Sequence, residues 1–284
     1  MATTVHIRDF TDPTCPFSYS LEPTRWRLRW LYGDQLSWQS SMIVLYTTID
    51  PTITPEMLAT TRSKLRKFYG MPINDEPAAR LSTTIDACRA YIAVRLNAPE
   101  QADSVLRKLR IAVMSGKLPD EPSVITDVVT SVGINLEHYT DWLEQAGVEA
   151  LLRTDMREAR EPSAVALTLR HKLGVTPEGT KRYSSGSYRF SIDGETVFEL
   201  PGFWPTATYE AAIANIAPEL QRKDDTSNVR DVLKWAGEPL ATAEVASIMN
   251  KPIEDIRSEL QNIATMESVG QDGFWSLNPP PEDN

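Results

Sequence analysis

Apolar positions recur along this chain with two different periods, and the change of period marks its architecture. From Val5 to Phe10 they alternate loosely with polar ones, which predicts a strand. Pro16 suits a first helical turn. Leu21, Trp26, Leu28, Trp30 and Leu31 then line one side of a helix predicted over Phe17–Leu31 and closed by Gly33-Asp34. Leu36–Leu45 reads as a second strand, parallel to the first if the helix is a crossover, which makes one right-handed βαβ unit. Residues 54–173 keep helical spacing, in segments near 55–69, 83–96, 99–115, 121–132, 135–145 and 148–160. Pro99-Glu100, Pro119-Asp120 and Gly133-Ile134-Asn135 are the clearest breaks. Alternation returns at Tyr188–Ile192, turns at Asp193-Gly194 into Thr196–Leu200, and gives way to a helix over Thr208–Ile216.

The order β-α-β, helical block, β-β-α is that of a thioredoxin fold interrupted in the middle. The expected fold class is therefore α/β, with a thioredoxin-like domain over 1–50 and 180–220 and an all-helical insertion over 51–179. The polar stretch Gln221–Ser227 reads as a linker. Beyond it, helices over Asn228–Trp235, Thr242–Met249 and Pro252–Ala264 precede a small hairpin ending in Phe274–Leu277. That is winged-helix order, so 226–278 is expected to be a winged-helix-like α+β module, followed by a frayed tail over Asn278–Asn284.

Composition narrows the function. The chain has 284 residues, 41% hydrophobic and 24% charged, as in a globular protein. No apolar run reaches the roughly 18 residues of a membrane span, and no basic stretch followed by an apolar core marks a secretory signal. A net charge of −10 argues against a polyanion-binding protein. Cys15 and Cys88 are the two cysteines, too few for a disulfide framework, which points to a reducing cytoplasm. His6, His138 and His171 are scattered, so no metal site is expected.

The chemistry concentrates in Asp12-Pro13-Thr14-Cys15-Pro16-Phe17-Ser18-Tyr19. A cysteine at the mouth of a helix meets unpaired backbone N–H groups and the positive end of the dipole, both of which favour the thiolate. The place of a partner cysteine, three residues on, holds Ser18.

This octet resembles the Asp-Pro-x-Cys-Pro-Trp-Cys/Ser-Tyr site of the DsbA-like branch of the thioredoxin superfamily, which includes the FrnE-like proteins and 2-hydroxychromene-2-carboxylate isomerases. Leu21-Glu22-Pro23, Tyr32-Gly33-Asp34, Asp86-Ala87-Cys88-Arg89-Ala90 and Pro201-Gly202-Phe203-Trp204-Pro205 with Tyr209-Glu210 extend the likeness over residues 4–217. The resemblance implies thiol–disulfide oxidoreductase activity with Cys15 as nucleophile. Two departures qualify that. Ser18 replaces the second cysteine, and the window Tyr183–Phe190 lacks the proline that the superfamily places in cis against its cysteine, with Tyr188 or Arg189 in its stead.

A lone thiol can still attack a mixed disulfide and be released by a second small thiol. The leading reading is thus a monothiol oxidoreductase with Cys15 as nucleophile and Ser18 as its hydrogen-bond partner. It would bind no resident cofactor and use a low-molecular-weight thiol such as glutathione or an equivalent on a protein or small-thiol disulfide. A glutathione-dependent isomerase or transferase is the related option. Pro16, Phe17, Tyr19, Tyr188 and Arg189 are expected to line the substrate groove, with Trp204 near them. His6 is a remote candidate for an activating base. Cys88 shares an apolar helix face with Ile85 and Ile92 and is expected in the core rather than as a resolving thiol. Arg25, Arg27 and Arg29 do not form one stripe and are expected on a solvated face.

The competing reading is a catalytically silent adaptor or regulator that binds proteins through the groove and the terminal module. Between Asn228 and Leu277 the cations are Arg230, Lys234, Lys251 and Arg257. Against them stand Asp231, Glu238, Glu244, Glu254, Asp255, Glu259, Glu267 and Asp272. Nucleic-acid affinity depends mainly on phosphate contacts, so a protein partner or self-association through 226–278 is expected there ahead of DNA, with a redox-responsive DNA-binding regulator as the third reading.

Overall fold

The computed structural model describes residues 3–176 and 178–279, so the expected frayed tail from Asn278 lies outside the described residues except for its first two. Asn278 is anchored, its amide donating to the Ile263 carbonyl at 3.1 Å and its Oδ1 accepting from the Thr265 hydroxyl at 2.6 Å. Strand β1 (Val5–Thr11) runs parallel to β2 (Leu36–Met42), in register from Val5 opposite Leu36 to Thr11 opposite Met42. Two helices, α1 (Pro16–Tyr19) and α2 (Glu22–Tyr32), cross between them. The single helix expected over Phe17–Leu31 is broken because Pro23 has no N–H to offer the Tyr19 carbonyl and its ring clashes there.

Helices α3 (Pro55–Tyr69), α4 (Ile85–Asn97), α5 (Pro99–Met114), α6 (Pro122–Ser131), α7 (Leu136–Leu143), α8 (Ala146–Arg160) and α9 (Ala164–Thr168) form the inserted block. Most of its apolar side chains gather in one core with Met42 and Val44. The block is not wholly helical at its end. A two-residue pairing of β3 (Gly174–Val175) with β4 (Lys181–Arg182) closes it. Then β5 (Ser187–Ile192) joins β1 antiparallel and β6 (Glu195–Leu200) joins β5, giving the order β2-β1-β5-β6, and α10 (Thr206–Ile216) follows. The turn between β5 and β6 uses Asp193 and Gly194, both at positive φ (51° and 83°), as a two-residue hairpin loop requires.

The last section contains α11 (Val229–Ala236), β7 (Leu240–Ala241), α12 (Thr242–Met249), α13 (Ile253–Ile263), β8 (Ala264–Val269) and β9 (Asp272–Leu277), with its sheet in the order β7-β9-β8. It is not held off by a free linker. Lys223 donates its amide to the Leu31 carbonyl at 2.7 Å, and the Trp30 indole donates to the Asp224 carbonyl at 3.1 Å. Leu28, Trp30 and Leu31 share one core with Val229, Leu233, Val245 and Ile248.

That packing corrects the expected solvated arginine face. Arg25 and Arg27 are each 3% exposed. Arg27 pairs with Glu210 (3.0 Å) and Asp225 (2.9 Å), while Arg25 pairs with Asp103 (2.7 Å). Arg29 is half-buried and pairs with the same Asp103. Spacing two on a helix points the three to different sides, and neighbouring elements cover two of them and part of the third.

Candidate functional site

Asp12 builds the loop that carries Cys15. Its carbonyl accepts the Cys15 amide at 3.1 Å. One carboxylate oxygen accepts the Thr14 amide (2.8 Å) and hydroxyl (2.7 Å), an Asx turn. The other accepts the Leu45 amide (2.8 Å), the Thr84 hydroxyl (2.8 Å) and the Cys88 thiol (3.6 Å). One fully buried carboxylate therefore ties the β1–α1 loop to the exit of β2 and the start of α4. Leu45 follows Val44, which takes φ 49°, a left-handed conformation rare for a β-branched residue. Asp12 was legible as part of the octet but not as its organiser, since its partners lie far along the chain.

Cys15 is the N-cap of α1, with Pro16 at the first helical position. Its sulfur faces the Ser185 hydroxyl and the backbone amides of Ser18 and Phe17. Burial nevertheless pushes the thiol up, and these donors pull it back only in part. The side chain is 6% exposed. Because α1 is a single turn, the sulfur has the local amides without the field of a long helix.

Ser18 does not serve the sulfur as expected. Its hydroxyl pairs with Ser185, and only its amide faces Cys15. The residue of this segment that faces the cysteine is Ser185, upstream of the expected Tyr188 or Arg189. A Cβ on Gly186 would stand 2.7 Å from Leu21 and 3.9 Å from the Ser18 hydroxyl. Among the described residues every peptide bond is trans.

Cys15 opens onto a cavity of about 590 Å³. Of the expected groove residues, Pro16 and Phe17 line it. Tyr19, Tyr188 and Arg189 do not. Tyr19 is buried beneath, its hydroxyl donating to the Pro72 carbonyl at 2.9 Å. Tyr188 lies in the core against Trp38 and Tyr209, because it sits on the covered face of β5. Arg189 pairs with Glu199 at 2.7 Å. Trp204 is held by Lys172 beside the cavity. His6 is exposed at the start of β1, the end remote from Cys15. Cys88 is buried in the helical block's core, where burial and the Asp12 carboxylate raise its thiol well above the ordinary value.

The cavity also has residues the sequence did not single out: Arg62 from α3, Arg80, Lys117 after α5, His171, Lys172 and Arg182 from β4. They come from five separated segments, so no local motif announces them. Among the described residues no group of three or more His, Cys, Asp or Glu could hold a metal. No described helix is long and apolar enough to cross a membrane.

A Cys-Pro pair opening a helix beside a β2-β1-β5-β6 sheet, with a helical block inserted between β2 and β5, defines a class. Residues 6–164 match the DSBA-like thioredoxin domain, and the chain belongs to that family. The SpxH adapter protein of ClpXP from Bacillus subtilis is 22% identical over 277 residues, spanning 92% of this chain and 84% of its own. A protein of Nitrosomonas europaea classed as a protein disulfide isomerase has a similar fold. Its TM-score is 0.59 at 13% identity, over 75% of this chain and 99% of its own. So does the cytosolic disulfide reductase DsbM of Pseudomonas aeruginosa, with TM-score 0.52 at 13% identity, over 72% of this chain and 91% of its own.

Proposed function

We propose that this chain is an adaptor, a DsbA-like domain that has kept its groove for holding a client protein rather than for exchanging disulfides. The observation that carries the reading is the state of Cys15. Its side chain is 6% exposed, burial pushes its thiol up despite three donors, and the residue three places on is a serine whose hydroxyl is engaged with Ser185. A thiol reacts as its thiolate, and a site that raises the thiol rather than lowering it is poorly set for redox work. The relative that matches along most of both chains carries the name of a ClpXP adapter. The acidic terminal module fits protein contact better than nucleic acid, and two unpaired cysteines suit a reducing compartment.

The test is a degradation assay with purified ClpXP and a soluble proteome. The full chain accelerates loss of one or a few proteins, and Cys15→Ser does so equally. Glutathione-driven turnover of a small disulfide that depends on Cys15, with no accelerated client, overturns the proposal.

A second reading, monothiol exchange, draws on one observation: Cys15 does line the cavity, with donors aimed at its sulfur. In that reaction the Cys15 thiolate attacks a mixed disulfide and releases one thiol. A second small thiol then attacks the Cys15 mixed disulfide, leaves as the new disulfide, and regenerates the thiolate. The same assay separates the two.

A further inference from the structure

The cavity beside Cys15 inverts the charge of the molecule. The chain carries a net −10, yet Arg62, Arg80, Lys117, Lys172 and Arg182 line this space and no Asp or Glu does. Arg80 is already matched, held bidentate by Asp120 at 2.7 and 2.9 Å. For the other four no carboxylate partner is found among the described residues. Lys172 donates only to the Phe203 carbonyl (2.9 Å), and Arg182 only to the carbonyl of Tyr183 (2.9 Å). Burial pushes the Arg62 guanidinium down with no anion to offset it. Arg62, Lys172 and Arg182 are half-buried and Lys117 is exposed at the rim. Half-buried cations without counter-ions are costly, so their convergence on one space favours an anionic partner.

Two features indicate the shape of that anion. The four cations come from α3, the loop after α5, the turn after α9 and β4, so they surround the cavity rather than pinch one point. Between them the wall is apolar, with Phe17, Leu58, Leu118 and Phe203. The apolar surface also runs out of the cavity. Phe203 packs on Tyr69 (4.5 Å between ring centroids), and Tyr69 on Phe68 (4.7 Å). Phe68 is 79% exposed. A small anion would use one or two of the cations and none of this aromatic track.

We infer that the cavity and the track along α3 receive an extended acidic segment of the client protein, in which carboxylates alternate with large apolar residues. Carboxylates meet Arg62, Lys117, Lys172 and Arg182 while apolar side chains fill the wall and follow Tyr69 to Phe68. The inference rests on the adaptor reading and gives its site a ligand chemistry.

The experiment is fluorescence anisotropy on the full chain with a fluorescein-labelled ten-residue peptide of alternating Glu and Leu or Phe. Its amide analogue, with Gln for every Glu, is the control. The acidic peptide binds at least tenfold more tightly than the amide, and the difference shrinks as salt rises. Arg62→Glu with Lys117→Glu, both near the surface, removes at least tenfold of the affinity, and Phe68→Ser weakens binding several-fold. Lys117→Glu alone is the check if the double variant loses its native circular dichroism. Equal binding of acidic and amide peptides, or full displacement by inorganic phosphate or reduced glutathione, overturns the inference. If ClpXP still degrades its accelerated client with the double variant at the wild-type rate, the inference fails and the adaptor reading stands. If the peptide binds as described and no client is accelerated, the adaptor reading fails instead.

Discussion

Arg107 on α5 grips Glu244 on α12 with both ends of its guanidinium, at 2.6 and 2.9 Å, and Glu244 is wholly buried. The same arginine reaches Glu238 at 3.0 Å and the Pro239 carbonyl at 2.9 Å, and lies over the rings of Trp26 and Phe274. One side chain of the helical block therefore fastens the terminal module, and Glu244 also accepts the Ala241 amide that opens α12 (2.7 Å). Removing one partner of a buried pair leaves a stranded charge and costs about 3–5 kcal/mol. Arg107→Ala or Glu244→Ala is expected to lower the urea midpoint of the entire chain in one transition. The exchange Arg107→Met with Glu244→Leu is expected to cost far less. Two separate transitions in the wild type would contradict the fused architecture.

Asp12 is the second point of failure. Asp12→Ala strands the buried Leu45 amide and Thr84 hydroxyl along with the Thr14 donors, at about 1–3 kcal/mol for each buried group. Asp12→Asn keeps the volume and one acceptor oxygen, and is expected to cost less. Chemical denaturation ranks the two. Equal midpoints for wild type and Asp12→Ala would show that the loop is not organised by this carboxylate.

The alkaline side of the stability curve carries a thiol signature. Burial raises both Cys15 and Cys88, whereas unfolded thiols ionise near about 8.5. Below that pH both states hold the protons and the contribution is complete. As pH rises above it the unfolded chain releases protons that the folded one keeps, so stability falls with pH. Melting temperatures from pH 8 upward are expected to decline. Cys15→Ser with Cys88→Ala is expected to flatten the decline below the range where tyrosines titrate. An unchanged slope would contradict the raised thiols.

How much of this was legible beforehand depends on how local each signal is. The strand–Cys-Pro–helix opening, the helix breaks at Pro99, Pro119 and Gly133, and the Asp193-Gly194 hairpin are set by neighbouring residues, and they fold as their patterns imply. The break before Pro23 was equally local, yet the apolar spacing from Leu21 to Leu31 masked it. Burial of Arg25 and Arg27 was not legible, since their partners Asp103, Glu210 and Asp225 are supplied by other elements. The same holds for the site. Cys15, Pro16 and Phe17 reach the cavity from one loop, but Arg62, Lys117, Lys172 and Arg182 converge there only through the tertiary fold. Alignment to a missing proline puts Tyr188 and Arg189 in the groove, whereas the residue that faces Cys15 is Ser185, three positions before Tyr188.

Ser185 offers a graded test of the sulfur's environment. Its hydroxyl is the side-chain donor facing Cys15 and also holds Ser18. Ser185→Ala removes that donor and is expected to raise the Cys15 thiol further. Ser18→Ala, which removes a hydroxyl that faces Ser185 rather than the sulfur, is expected to move it less. Peptide-resolved alkylation reads both, and a larger effect from Ser18→Ala would reverse the assignment.

The claim that the groove holds a client rather than exchanging disulfides rests most directly on the protonation state of Cys15. The decisive measurement is the rate of iodoacetamide alkylation at Cys15 in the native protein against pH, followed by peptide mapping to separate it from Cys88. The expected profile stays flat and slow through neutral pH and rises only above the ordinary thiol value of about 8.5. A midpoint below about 7, the range of activated redox thiols, would contradict the account.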